Sequence, residues 1–193
     1  MYGVFEKYMD CKIELSPEQS DWIRSLCVVK KLRKHRFLLQ EGDICTQHAF
    51  VTKGCLRSYS VDCDGKEHIV KFAVEHWWIA DRDSLLSGEP AKLNIDAVED
   101  SEAVLLSKQN FDLICQKIPA FNDMVNNLLQ GAYNASQNRI LANISLSARE
   151  KYEFFLQRYP DLAVRLPLSM IASYLGISPE TLSRVRNQVM SGQ

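Results

Sequence analysis

The sequence predicts an α+β chain: a segment of short strands between about Lys31 and Lys108, followed by a long helix and a compact helical end. Three observations lead there. Short β-branched and aromatic runs are punctuated by turn signals at Glu41-Gly42-Asp43, Lys53-Gly54, Asp62-Cys63-Asp64-Gly65, Ser87-Gly88-Glu89-Pro90 and Glu99-Asp100, a spacing that reads as an all-β roll or sandwich. After Ser107 the apolar period lengthens to three and four residues, which is the period of a helix. Near the C-terminal end, LPLSMIASYLGISPETLSRVRNQ (Leu166–Gln188) holds two apolar-periodic segments hinged on Gly176.

The first expected element is a short helix, because Ser16-Pro17-Glu18-Gln19 carries a cap residue, a proline at the first helical position and a glutamine at the capping-box position. Helical character returns at Phe111, Ile114 and Cys115. A long helix is then expected from Ala120 to about Leu146, where Phe121, Met124, Val125, Leu128, Leu129, Ala132, Ala135 and Ile140 recur at helical spacing. A helix of about seven turns is too long for a small domain to cover. Its apolar stripe calls for a partner, most economically the same helix of a second copy, with Met124, Val125, Leu128, Leu129 and Ala132 as the interface. The alternative is that the stripe packs along the chain's own roll.

Composition bounds the function. The chain has 193 residues, of which 46% are hydrophobic, enough for a real core. No stretch approaches the roughly 18 apolar residues of a membrane span, and MYGVFEKYMDCKIEL lacks the apolar centre of a secretory signal. The expectation is a soluble cytoplasmic protein without membrane contact. Cys11, Cys27, Cys45, Cys55, Cys63 and Cys115 are scattered without a C-x-x-C pair. They read as idle thiols, since an iron–sulfur site needs clustered thiolates and the N-terminal region offers only Cys11 and Cys27. Residues 140–193 carry six Lys+Arg against four Asp+Glu, or +2, and the remainder carries 17 against 20, or −3. That sign permits a nucleic-acid partner at the C-terminal end without identifying one.

The hinged segment is more specific. Ile171, Leu175, Leu182 and Val185 supply contacts between two helices, and Ala172 lets their backbones approach. Gly176 sits where the first helix must end in a left-handed conformation, Ile177 plugs the corner, Ser178 caps the second helix and Pro179 opens it. These classes in this order fit a helix-turn-helix. Ser178, Glu180, Thr181, Ser183, Arg184 and Asn187 leave the outer face of the second helix polar and able to hydrogen-bond. Arg can grip guanine O6 and N7 while Glu accepts from cytosine N4, so the expected partner is double-stranded DNA. The competing reading is a solvated face with an i,i+4 Glu180–Arg184 ion pair.

From about Lys31 onward the chain resembles the Crp/Fnr family of bacterial transcription regulators. The recognition helix carries the likeness: GISPETLSRVR (Gly176–Arg186) is similar to the family signature E-x-x-S-R, whose Glu, Ser and Arg contact bases and fall here on Glu180, Ser183 and Arg184. FLLQEGDICTQHAFVTKGCLRSYSVDCDGKEHIVKF looks like the family's first strands, and AVEDSEAVLLSKQNF like its last strand and the start of the next helix. The resemblance implies a cyclic-nucleotide-binding-like roll of the double-stranded β-helix type as a sensor over residues 1–119. A dimerisation helix over 120–146 and a helix-turn-helix domain over 147–193 would follow. It also implies a homodimer, an inverted-repeat DNA site and RNA polymerase as a partner.

Two departures qualify it. Nucleotide-binding members carry Gly-Glu in a phosphate cassette and Arg-Ser some ten residues later, whereas this chain has Ala80-Asp81 and Ala91-Lys92. Cyclic AMP is therefore not the expected effector. No cofactor is expected beyond an unidentified small molecule, with Asp81, Arg82 and Lys92 as the candidate contacts or, on the blander alternative, solvated charges. The sequence also stops soon after the recognition helix, so a full β-wing is expected to be lacking, with the loss of its phosphate contacts.

Two other functions remain open from the residues. A cupin-like metal enzyme needs converging histidines, but His35, His48, His68 and His76 are isolated. A protein-binding module that has lost DNA binding is the second.

Overall fold

The protein is described from a computed structural model covering residues 2–191. Two helices come first, α1 (Tyr2–Asp10) and α2 (Pro17–Ser25), then β1 (Val28–Leu32), β2 (Phe37–Leu39), β3 (Gln47–Lys53), β4 (Leu56–Val61), β5 (Glu67–Ala73) and β6 (Trp78–Ile79). After α3 (Arg82–Ser87) come β7 (Asn94–Ala97), β8 (Ser101–Ser107), α4 (Lys108–Lys117) and α5 (Pro119–Ser145). The chain ends in α6 (Ala148–Arg158), α7 (Pro160–Arg165), α8 (Leu168–Leu175) and α9 (Pro179–Met190). The α+β class expected from the sequence is the class observed, with the strands in one block.

Two four-stranded sheets make the roll, in the orders β1-β8-β3-β6 and β2-β7-β4-β5. β8 pairs antiparallel with both β1 and β3, and β7 antiparallel with both β2 and β4. Side chains alternate across a strand, and here both faces of β3 and β8 are buried. Ala49, Val51, Ala103 and Leu105 point between the sheets, among Leu32, Leu39, Leu56, Ile79 and Ile95. Phe50, Val104 and Leu106 point the other way, into a cluster with Phe5, Met9, Ile23, Phe111, Ile114 and Phe121. That is why these strands read as continuous apolar runs rather than as alternation.

The outer cluster depends on a helix the sequence reading omits. α1 is short, but Phe5 and Met9 lie one turn apart and are buried, and Phe5 meets Phe50 edge-on with ring centroids 5.1 Å apart. The expected capping box of α2 is present: the Ser16 amide donates to Gln19 Oε1 at 2.9 Å and the Gln19 amide to Ser16 Oγ at 3.2 Å. At the Lys53-Gly54 turn φ is +89°, and a Cβ on Gly54 would lie 2.8 Å from the Asp100 carbonyl oxygen. Only glycine fits there.

The chain divides into two compact units. One comprises the residues up to Val61 with Val70–Leu128, and the other comprises Asp62–Ile69 with the chain from Leu129 onward. The division between the units at Leu128 falls inside α5. The reason is packing: Phe121 and Met124 are buried in the outer cluster of the roll, with Val125 against it. Met124, expected at a dimer interface, is core. The stripe splits at Leu128, and Tyr133, Ile140, Leu141 and Ile144 are exposed, Ile144 to 79%. The second unit has its own core, from Tyr152, Phe155, Leu162, Leu166, Ile171, Ala172, Leu175, Leu182 and Val185. α9 is the last element, and the expected lack of a wing concerns chain outside the described residues.

Candidate nucleic-acid interface

α8 begins after Pro167 and buries Ile171, Ala172 and Leu175. Gly176 ends it at φ 66°, ψ 33°, the left-handed conformation in which other residues are strained by roughly 1 kcal/mol. The turn satisfies its own backbone, since Gly176 N–H donates to Ser173 O at 3.2 Å and Ile177 N–H to Ala172 O at 3.1 Å. α9 then starts at Pro179 with Ser178 as cap, whose Oγ accepts from Thr181 N–H at 3.1 Å and donates to Thr181 Oγ1 at 3.1 Å. Leu182 and Val185 anchor α9 by their burial.

Anchoring on that side decides what the other side shows. Ser178, Glu180, Ser183, Arg184 and Asn187 are exposed, and Thr181 is half-buried. Of the predicted DNA contacts, Ser178 also serves as the helix cap. Among the described residues the i,i+4 ion pairs are Lys108–Asp112 and Arg149–Glu153, and Glu180 and Arg184 form none. Backbone hydrogen bonding at the helix start, with help from the Ser178 hydroxyl, holds the Glu180 carboxyl below the usual range. It is an acceptor-only carboxylate at neutral pH. Arg186 differs from Arg184: it is half-buried, and its Nε is buried without a hydrogen bond.

The residues expected to hold an effector do not converge. Asp81 is buried, and its Oδ1 accepts from Ser84 N–H at 3.1 Å, capping α3. Its carboxylate is held by a helix start. Arg82 is exposed. Lys92 Nζ lies 3.2 Å from Asp83 Oδ2, and both side chains are largely in solvent. Ala91 is buried and offers no cation.

Sequence reasoning missed one buried cation, Arg57, and one half-buried cation, Lys71. Arg57 is locked to Asp96 within the sheet. Lys71 Nζ donates to Trp78 O at 2.7 Å, and desolvation pulls its pKa down. Arg57 stood in the sequence as a residue after a turn, and its pairing becomes visible only once β4 and β7 are in register. Among the described residues, no group of three His, Cys, Asp or Glu side chains could hold a metal ion, and no helix is long and apolar enough to cross a membrane. The six cysteines are free thiols.

A cyclic-nucleotide-binding-like roll and a helix-turn-helix with a polar outer face are the parts of a DNA-binding transcription regulator. Comparison with known proteins agrees. Residues 29–118 match the cyclic nucleotide-binding domain family. The regulatory protein HlyX of Actinobacillus pleuropneumoniae is 27% identical over 173 residues, covering 81% of this chain and 69% of that one. FixK2 from Bradyrhizobium japonicum superposes with a TM-score of 0.76 at 20% identity, over 86% of this chain and 85% of that one. A transcriptional regulator assigned to the Crp/Fnr family from Eubacterium rectale gives 0.71 at 16% identity, over 96% and 89% of the two chains. The chain is thus similar to transcription regulators of the Crp/Fnr type and shares their fold.

Proposed function

We propose that this protein works in the cytoplasm as a homodimeric transcription regulator that binds an inverted-repeat DNA site and responds to an effector other than cyclic AMP. The observation that carries the reading is the face of α9. Glu180, Ser183, Arg184 and Asn187 are exposed together on a helix whose opposite side is buried and whose start is capped. A face so held can enter a major groove without reorganising. Arg184 is the residue assigned to a guanine, and Glu180 to a neighbouring cytosine.

The dimer is supported by the uncovered part of α5, where Leu128, Ile140, Leu141 and Ile144 expose apolar surface. RNA polymerase is the partner a regulator of this kind addresses. The cyclic AMP exclusion rests on Asp81, Ala91 and Lys92: a capping carboxylate, a buried methyl and an ion-paired amine cannot form a phosphate cradle. Selection of bound sites from random duplex DNA tests the reading. A recovered palindrome with half-sites about one helical turn apart, roughly 34 Å, is expected.

A further inference from the structure

Four strands lie at the edges of the two sheets, β1 and β6 in one and β2 and β5 in the other. An edge strand carries a row of unpaired N–H and C=O groups, which a protein either blunts or uses. β6 is two residues long, and β2 is three residues long with a break in its register. On β5 the Glu67 carbonyl accepts from the Ser173 hydroxyl at 2.7 Å, and the Ile69 amide donates to the same oxygen at 3.0 Å. β1 has none of these devices. It runs for five residues in unbroken register with β8, and Val28, Val29, Lys30 and Lys31 are all exposed.

Charge is concentrated on the same edge. Lys30-Lys31-Leu32-Arg33-Lys34-His35-Arg36 places five of the chain's 23 lysines and arginines in seven residues with no acid among them, although the net charge of the chain is −1. All of these but Leu32 are exposed. Two acids lie beside the run: Asp100 Oδ1 accepts from the Lys34 amide at 2.8 Å, and Glu102 Oε1 lies 3.8 Å from Lys31 Nζ. Among the described residues, the side chains of Lys30, Arg33, Lys34 and Arg36 form no ion pair. The backbone that carries them is fixed, since His35 N–H donates to Ala97 O at 2.7 Å and Arg36 N–H to Arg33 O at 3.0 Å.

Lysines on an edge repel a second copy of the same strand and attract an acidic one. Val28 and Val29 point to opposite faces and are 60% and 42% exposed. A nucleic-acid backbone would leave both valines uncovered, and it has no alternating N–H and C=O groups with which to continue a ladder. An extended peptide supplies both. We propose that β1 is a docking edge for an extended acidic segment of a partner protein. The segment adds antiparallel as a further strand, with carboxylates against Lys30 and Lys31 and apolar side chains against Val28 and Val29. Main-chain hydrogen bonds supply the affinity, the side-chain pattern supplies the selectivity, and Arg33, Lys34 and Arg36 extend the attraction past the end of the strand. The face of α9 takes no part.

The test uses the full chain and a dye-labelled peptide, Glu-Glu-Thr-Glu-Glu-Val-Val, whose antiparallel register sets acids opposite Lys30 and Lys31 and valines opposite Val28 and Val29. Fluorescence anisotropy is expected to show saturable binding at one peptide per chain. Lys30→Glu combined with Lys31→Glu, both at exposed positions, should weaken it at least tenfold. The same double variant should bind Glu-Glu-Thr-Lys-Lys-Val-Val at least tenfold more tightly than the wild type does. Two further peptides, N-methylated at alternate positions in opposite phase, separate strand addition from simple charge attraction. One should lose at least tenfold in affinity and the other should keep it, because only every second amide faces β1. Absence of saturable binding overturns the proposal, and so do equal affinities of the two methylated peptides. If the peptide fails to bind while the double variant loses tenfold in affinity for a random-sequence duplex, the edge serves nucleic acid and the proposal is likewise overturned.

Discussion

Arg57 and Asp96 stand opposite each other across β4 and β7, and the guanidinium holds the carboxylate at two points. Nε donates to Oδ1 at 2.8 Å and Nη2 to Oδ2 at 3.0 Å, with both side chains more than nine-tenths buried. The Tyr59 hydroxyl donates to the same carboxylate at 3.4 Å, and the Tyr59 ring lies 4.2 Å from the guanidinium. Asp96→Ala removes the counter-charge of a buried cation and should cost about 3–5 kcal/mol in urea unfolding. Replacing both Arg57 and Asp96 with leucine should cost less than Asp96→Ala alone. A larger loss in the double variant would contradict this account of the pair.

His48 stacks on Phe111 with ring centroids 3.9 Å apart. Burial, with Arg82 and Lys108 nearby, pulls its pKa down from 6.5 to about 4 against the opposing effect of Asp112. The unfolded chain therefore takes up a proton before the folded one does. The contribution of His48 to stability is complete above pH 6.5 and is lost as pH falls from there to about 4. The loss amounts to at most about 3 kcal/mol at ~1.4 kcal/mol per unit. His48→Gln should remove that slope, so urea midpoints at pH 7.5 and pH 4.5 should differ less in the variant. Equal differences in the two proteins would mean that His48 titrates normally.

The split of α5 predicts two kinds of variant on one helix. Met124→Ala should lower stability by about 2–5 kcal/mol without changing association, because Met124 is buried in the core of the roll. Leu128→Asp combined with Leu129→Asp should shift sedimentation from dimer to monomer with little loss of stability, since Leu128 is exposed and Leu129 half-buried. A wild type already monomeric at micromolar concentration would contradict the proposed dimer.

Cyclic AMP should give no heat of binding at physiological concentration in calorimetric titration. Micromolar or tighter binding would mean that Lys92 leaves Asp83 and serves as the phosphate cation.

What could be read in advance follows from how local its cause is. The α2 capping box, the Gly54 turn and the Gly176–Ser178 corner are set by residues within a few positions of each other, so their letters name their structure. α1 was missed because Phe5 and Met9 make only one turn of pattern, and their burial comes from Phe50 and Phe121, far along the chain. Arg57–Asp96 required the register of two strands 39 positions apart. The helical period of α5 was plain, but which stretch of it meets the roll and which stays open was not, because one apolar stripe serves both. That Asp81 caps α3 is visible only once Ser84 is seen to donate to it.

The measurement that bears most directly on the central claim is site selection from random duplex DNA with the wild type and with Arg184→Ala. The wild type should enrich an inverted repeat, and its half-sites should contain a guanine that the variant no longer prefers. The variant should lose about 1–3 kcal/mol per half-site. Arg186→Ala serves as the comparison: with its Nε turned into the protein, it should leave the preferred sequence unchanged. An unenriched pool, or an Arg184→Ala profile that matches the wild type in sequence and affinity, would contradict the assignment of the α9 face to DNA.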